Sequence, residues 1–145
     1  MKNILVAVDF KEGTDKLMDY AVDQAQSHKA NIWIVHVVAP EPDFVGYEVG
    51  PQYIRDMRAA ELKMEHRKLM DLANEVSYKG LAAEGIMIHG ATIEILTAEI
   101  EKLNIDLVVI GHHKHGFVHK AFFGRTDVSL IEHVNIPVLV VPTDV

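Results

Sequence analysis

Short apolar runs alternate along this chain with longer segments in which apolar residues recur every three or four positions. The runs are NILVAVDF (Asn3–Phe10), NIWIVHVV (Asn31–Val38), Gly85–His89, Asp106–Ile110 and PVLVVP (Pro137–Pro142). Continuous apolar runs of this length are typical of strands that are buried on both faces of a sheet. The pattern therefore predicts five strands.

Helical periodicity fills the segments between these runs. After the first run, Thr14 is a candidate N-cap and one apolar stripe follows it, made of Leu17, Met18, Ala21, Val22 and Ala25. A long helix is predicted over about Gln52–Tyr78, with its methionines filling the core: Met57, Met64 and Met70. Thr92 is a candidate cap for a third helix, and a fourth is predicted from about Gly124 to His133.

Strictly alternating strands and helices predict an α/β fold, in which a doubly wound parallel sheet has right-handed crossovers and helices on both faces. With 145 residues, the chain is expected to form one domain over residues 1–145.

Composition narrows the classes of partner. The formal net charge is -7, which argues against general binding of nucleic acid because that requires a basic face. No segment approaches the roughly 20 apolar residues of a membrane helix, so no membrane partner is expected. The chain has no cysteine, which excludes disulfides and thiolate chemistry and is in keeping with a cytoplasmic protein.

The candidate chemistry is concentrated in the segment that follows the fourth apolar run. This segment is GHHKHGFVHKAFFG, from Gly111 to Gly124, and Asp9 lies at the corresponding end of the first run. Open α/β sheets bind ligands outside the carboxyl ends of their strands. We therefore expect the ligand site in this loop, at the carboxyl end of the fourth strand.

In order and spacing, the pieces ILVAVDF, Gly13 with its helix, IVHVV, DLVVIG and PVLVVP resemble the universal stress protein family over essentially the whole chain. The resemblance implies five parallel strands in the order 3-2-1-4-5 and a homodimer formed through the C-terminal strand. One branch of the family binds ATP and the other lacks the binding motif, so ATP or another adenine nucleotide is the implied cofactor.

The ATP-binding branch has a loop of Gly, two residues, Gly, nine residues, Gly, then Ser or Thr. Glycines let backbone N–H groups approach phosphate oxygens, and the following helix adds partial positive charge. Gly111 and Gly124 match this motif, whereas Lys114 and Arg125 replace its second glycine and its hydroxyl residue. Gly116 matches a glycine that many members carry. Thr126 lies one residue after the position at which the motif has its Ser or Thr.

Further nucleotide contacts are implied by the resemblance, residue by residue. Asp9 matches the acid that faces the nucleoside, and Val37 matches the residue whose backbone meets the adenine edge. The remaining implied contacts are Ala7 and Val8, which line the pocket, Ile110, which flanks the base or ribose, and His113, which lies in the loop beside the anion site.

Two interpretations of the altered loop remain open. In the first, Lys114 and Arg125 hold the phosphates of an adenine nucleotide, with Mg²⁺ bridging Asp127 if a metal takes part. In the second, Arg125 fills the phosphate pocket, pairs with Asp127 or Asp9, and the protein acts without nucleotide through its dimer surface and partners. The retained Gly111, Gly124 and Asp9 place the first interpretation ahead.

The histidines of the loop suggest a third chemistry. Four imidazoles within eight residues could bind zinc, nickel or copper: His112, His113, His115 and His119. No cysteine or acid supports them between Gly111 and Gly124, so a polar loop beside an anion site ranks well ahead of a metal centre. Catalysis has little support, since no Walker A or GxSxG motif occurs, and slow ATP hydrolysis is the last-ranked alternative.

Overall fold

The computed structural model describes residues 1–38, 52–113 and 126–143, apart from the side chains of residues 53, 54 and 126–128. Strands and helices alternate in the described chain, as follows: β1 (Asn3–Ala7), α1 (Thr14–His28), β2 (Asn31–Val38), α2 (Gln52–Tyr78), β3 (Ala83–His89), α3 (Thr92–Lys102), β4 (Leu107–His112), α4 (Thr126–His133) and β5 (Val138–Pro142).

The strands form one parallel sheet in the order β3-β2-β1-β4-β5. The α/β class and the strand order implied by the family resemblance are both confirmed. β1 is central, and its last residue Ala7 pairs with Val35 of β2 and with Ile110 of β4. The carboxyl ends of these three strands therefore lie side by side.

Apolar residues pack on both faces of the sheet. On one face, the predicted α1 stripe packs with Leu69, Ala73 and Val76 of α2 against β1, β2 and β4. On the other face, Leu96 and Ile100 of α3 and Leu130 of α4 cover the opposite side of the same strands. Helices on both faces explain why the central strands are apolar in nearly continuous runs instead of at alternate positions.

Several helix and strand ends differ from the sequence-based expectation: β3 begins two residues earlier, β4 extends to His112, and α4 and β5 begin one or two residues later. β1 ends at Ala7 instead of Phe10, because Phe10 has a left-handed backbone with φ of 59° that no strand accommodates. Gly13 and Ala91 occupy the N-cap positions of α1 and α3. The predicted caps Thr14 and Thr92 are instead the first helical residues, and the Thr14 hydroxyl donates to the Lys11 carbonyl, 2.7 Å away.

The prediction that all three α2 methionines fill the core is wrong for two of them. Met57 and Met64 are 59% and 62% exposed, while Met70 is half-buried against the core. α2 has 27 residues and would extend about 40 Å, whereas its eight-residue neighbour β2 extends about 26 Å. The first turns of α2 extend past the strands, which accounts for the exposure of Met57. Met64 instead lies next to Glu65, which contacts His36 of β2, so it is exposed because it faces away from the sheet.

None of the described helices is both long and apolar enough to cross a membrane.

Candidate functional site

The sheet reverses its winding between β1 and β4, since α1 lies on one face and α3 and α4 lie on the other. Such a switch point opens a crevice outside the carboxyl ends of the two strands, which is where open α/β sheets bind ligands. The residues that follow β1 and β4 border this crevice.

Asp9 lies at the β1 side of the crevice and both of its carboxylate oxygens are hydrogen-bonded. The Lys11 backbone N–H donates to Oδ1 at 2.9 Å, and His113 Nε2 lies 3.0 Å from Oδ2. Phe10, in its left-handed conformation, turns the chain directly after Asp9. Since such a backbone costs a bulky residue roughly 1–2 kcal/mol, the surrounding packing fixes this turn and with it the place of Asp9.

His113 faces Asp9 from the β4 side. Since a carboxylate oxygen can only accept, Nε2 of His113 carries the proton of this bond. The two side chains are 27% and 35% exposed, so solvent weakens the pair without abolishing it. The Asp9–His113 pair therefore joins the two borders of the crevice.

The Thr143 hydroxyl contacts the face of the His113 ring. Thr143 Oγ1 lies 2.9 Å from Nδ1 and 3.5 Å from Nε2, so the hydroxyl lies over the ring instead of in line with one nitrogen. The same hydroxyl and the Thr143 backbone N–H both donate to the His112 carbonyl, at 3.2 and 3.0 Å. Thr143 thereby fastens the chain after β5 to the end of β4.

Two glycines make room for Thr143, which is only 3% exposed. A Cβ built on Gly13 would overlap Cβ and the carbonyl oxygen of Thr143, and one built on Gly111 would lie 3.0 Å from its Cγ2. Gly111 was singled out from the sequence as a phosphate-loop glycine, and its contact with Thr143 gives it a second reason to lack a side chain. Thr143 itself was missed, because a threonine after the last strand has no distinctive sequence signal.

The apolar residues expected at the nucleotide site divide between the two faces of the sheet. Ala7, Val37 and Ile110 pack on the α3 and α4 face, whereas the Val8 side chain is buried on the α1 and α2 face. The Val8 backbone is also engaged, since its N–H donates to Val35 O at 2.9 Å and its carbonyl is 2.8 Å from His36 Nδ1. Ala7, Val37 and Ile110 therefore belong to one core cluster, and the Val8 side chain belongs to the cluster on the opposite face of the sheet.

His36 lies behind the crevice as a buried histidine whose two ring nitrogens both have hydrogen-bond partners. Nδ1 faces the Val8 carbonyl and Nε2 lies 3.2 Å from Glu65 Oε2, so both ring nitrogens face acceptors. This pair fastens α2 to the ends of β1 and β2, and the Phe10 ring packs on His36 with centroids 4.8 Å apart.

The remaining predicted contacts lie wholly or partly outside the described residues. They are Lys114, Gly116, Gly124 and Arg125, together with the loop histidines His115 and His119. Thr126 begins α4, and its side chain is not described. Over residues 1–38, 52–113 and 126–143 no group of three His, Asp or Glu side chains is arranged to hold a metal ion, and this includes His112 and His113.

Comparison with known proteins gives one consistent family. The model of the universal stress protein family matches residues 1–142. A universal stress protein A homolog of Haemophilus influenzae is 33% identical over 143 residues, which cover 97% of this chain and 96% of that protein.

Solved structures show the same fold at lower identity. Universal stress protein UspA of Lactobacillus plantarum has a TM-score of 0.76 and 21% identity, with 97% of each chain covered. A universal stress protein of Archaeoglobus fulgidus, solved in complex with dAMP, has a TM-score of 0.64 and 17% identity, again with 97% of each chain covered.

Proposed function

The chain belongs to the universal stress protein family, and from this premise we propose that it is a cytoplasmic stress-response protein that binds an adenine nucleotide in a regulatory or sensing role. The observation that supports this most directly is the meeting of Asp9, Val37 and Gly111 at the switch-point crevice. The Archaeoglobus fulgidus relative in complex with dAMP adds support, since its fold covers 97% of this chain.

The proposed ligand lies across the carboxyl ends of β1, β2 and β4. The Val37 backbone meets the adenine edge, and Ala7 and Ile110 supply the apolar wall for the base and ribose. Asp9 accepts a hydrogen bond from the ribose, because a carboxylate is the natural acceptor for a hydroxyl. The Val8 contribution is limited to its backbone, given the side chain's burial on the opposite face.

Phosphates are proposed to lie between the end of β4 and the first turn of α4. The residues assigned to them are Gly111, His113, Lys114, Gly116, Gly124, Arg125 and Thr126. α4 begins at Thr126, so its positive end follows directly after the two residues that would complete the motif. Mg²⁺ is an optional companion of the phosphates in this assignment.

Release of bound ligand and thermal stabilisation test the proposal together. Purified protein is denatured, the supernatant is chromatographed for nucleotide, and unfolding is followed with and without millimolar Mg-ATP. A ligand at 100 times its Kd stabilises a protein by about 2.7 kcal/mol, which raises Tm by several degrees in a chain of this size. Asp9→Ala should lose the shift, and Asp15→Ala, on the exposed side of α1, is the matched control.

A second function is favoured by one specific observation, namely that both Asp9 oxygens already have partners within the chain. In this alternative the protein binds no nucleotide and acts through its dimer surface and protein partners. Finding neither released nucleotide nor stabilisation by Mg-ATP would select it. Slow ATP hydrolysis ranks third, and turnover that survives Asp9→Ala would rule the crevice out as its source.

A further inference from the structure

The geometry points to His113 as the residue that makes the crevice prefer phosphorylated adenine nucleotides over free adenosine. The inference rests on the proposed function and concerns the selectivity of that same site. It follows from the bond between His113 Nε2 and Asp9 Oδ2, which spans the two borders of the crevice.

The two partners of Asp9 differ in how readily a ligand can replace them. Lys11 is only two residues away, and its backbone N–H holds Oδ1 at 2.9 Å as part of the turn after β1. His113 comes from another strand, 104 residues further along, and reaches Oδ2 with a partly exposed side chain. Oδ2 is therefore the oxygen that a ribose hydroxyl competes for.

A ribose hydroxyl and the imidazole N–H are both donors, so His113 makes Oδ2 a weaker and more crowded acceptor for the ribose. A hydrogen bond to a carboxylate is worth roughly 1.5–3 kcal/mol when protected, and less when partly exposed. Adenosine must weaken or displace the His113 bond and offers the imidazole only neutral hydroxyl acceptors in return. A nucleotide displaces the same bond but brings a phosphate, which is an anionic acceptor for the released imidazole.

Thr143 fixes where the released imidazole can go. Its hydroxyl lies over the His113 ring, and its backbone N–H donates a hydrogen bond to the His112 carbonyl. A buried residue therefore packs against one face of the ring. His113 therefore stays at the end of β4, close to Gly111, when its bond to Asp9 is broken. This is the border on which the phosphates are proposed to lie.

The test compares the affinities of adenosine, 2′,3′-dideoxyadenosine and Mg-ATP for the wild-type chain and for His113→Ala by isothermal titration. We expect His113→Ala to bind adenosine about three- to tenfold more tightly, as the loss of one partly screened competing bond requires. Mg-ATP should bind no more tightly, and dideoxyadenosine should be unaffected because it lacks the hydroxyls that need Oδ2.

Two further variants separate competition from a change in folding. His113→Gln keeps an N–H donor within reach of Asp9, so it should keep the low affinity of the wild type for adenosine. His28→Ala removes an exposed histidine at the end of α1, whose ring is bonded to the Gln24 carbonyl, and should alter no affinity. Thermal unfolding of each variant confirms that the fold is intact before titration.

The outcomes distinguish this inference from the proposed function. If the wild type binds Mg-ATP but His113→Ala binds adenosine equally or more weakly, nucleotide binding stands and the role given to His113 is wrong. If no variant binds any of the three ligands, both are wrong. If adenosine binding is measurable only in His113→Ala, both are supported.

Discussion

Gly13 combines two constraints that can be separated by substitution. Its φ is +90°, and an added Cβ would overlap Thr143, whereas Gly80 has φ of +86° with nothing within 4 Å of the same position. Gly80→Ala should therefore cost only the backbone term of roughly 1–2 kcal/mol. Gly13→Ala should cost about 1–3 kcal/mol more, because the overpacked Thr143 must shift. Urea unfolding of both variants measures the difference, and equal costs would show that Thr143 does not pack on Gly13.

Asp106 makes stability depend on pH in the acid range. The backbone N–H groups of Lys2 and Asn3 donate to its carboxylate at 2.7 and 3.0 Å and hold the pKa of that carboxyl below its ordinary value. A depressed pKa adds stability above the unfolded-state value of about 3.9, and this is lost as the pH falls through the lower folded value.

Asp106→Asn should therefore be less stable than the wild type at pH 7, by at most about 1 kcal/mol because the carboxylate is partly exposed and solvent screens it. The difference should shrink at pH 3. Urea unfolding at the two pH values measures it, with exposed Asp71→Asn as control. If the two proteins differed in unfolding free energy by the same amount at pH 7 and pH 3, the Asp106 carboxylate would not be the source of the pH dependence.

The sequence identified some residues of the site but did not predict their contacts or the directions of their side chains. Asp9 could be found because an acid at the end of an apolar run is placed by the strand itself. Its contact with His113 could not, since the two residues are 104 positions apart and only the sheet brings them together. The side chains of Val8 and Val37 lie on opposite faces of the sheet, and a continuous apolar run does not specify which face each residue takes.

At the level of elements, α1 ends on a residue that suits its conformation poorly. Lys29 forms the C-cap with a left-handed backbone, φ of 55°, while its N–H donates to the Ala25 carbonyl. Glycine adopts this conformation without the Cβ penalty. Lys29→Gly should stabilise the chain by about 0.5–1 kcal/mol, whereas Lys102→Gly in the last turn of α3 should destabilise it by about 1 kcal/mol. Thermal unfolding measures both, and destabilisation by Lys29→Gly would contradict the account.

Element type was more predictable than element packing. The extents of β2 and α2 match the sequence pattern residue for residue, because the apolar run and the helical period are both unbroken. The exposure of Met57 and Met64 was not predictable, since periodicity reveals an apolar position but not whether a partner element reaches it. The length mismatch between α2 and β2 decides this for Met57, and the side of the helix that faces the sheet decides it for Met64.

For the whole molecule, strand order came from the family resemblance and not from the alternation of elements, which fixes only a parallel sheet. Confirmation of the order makes β3 and β5 the two edges of the described sheet. We predict that copies of the chain pair through β5 to form a homodimer, as the resemblance implies.

Two matched substitutions test this prediction. Leu139 on β5 and Met87 on β3 are both half-buried and pack against the same core cluster at opposite edges of the sheet. Leu139→Glu should give a monomer by light scattering after size exclusion, while Met87→Glu should remain a dimer. A dimer that survives Leu139→Glu, or a wild type that is already monomeric, would contradict pairing through β5.

Binding of an adenine nucleotide in the switch-point crevice is the central claim, and mapping of backbone amide shifts by NMR tests it most directly. Titration with Mg-ATP should shift the amides of residues 7–9, 37 and 110–113, at the ends of β1, β2 and β4, while the surface of α2 stays unchanged. Absence of shifts at millimolar nucleotide, or shifts that spare Asp9 and Gly111, would contradict the claim.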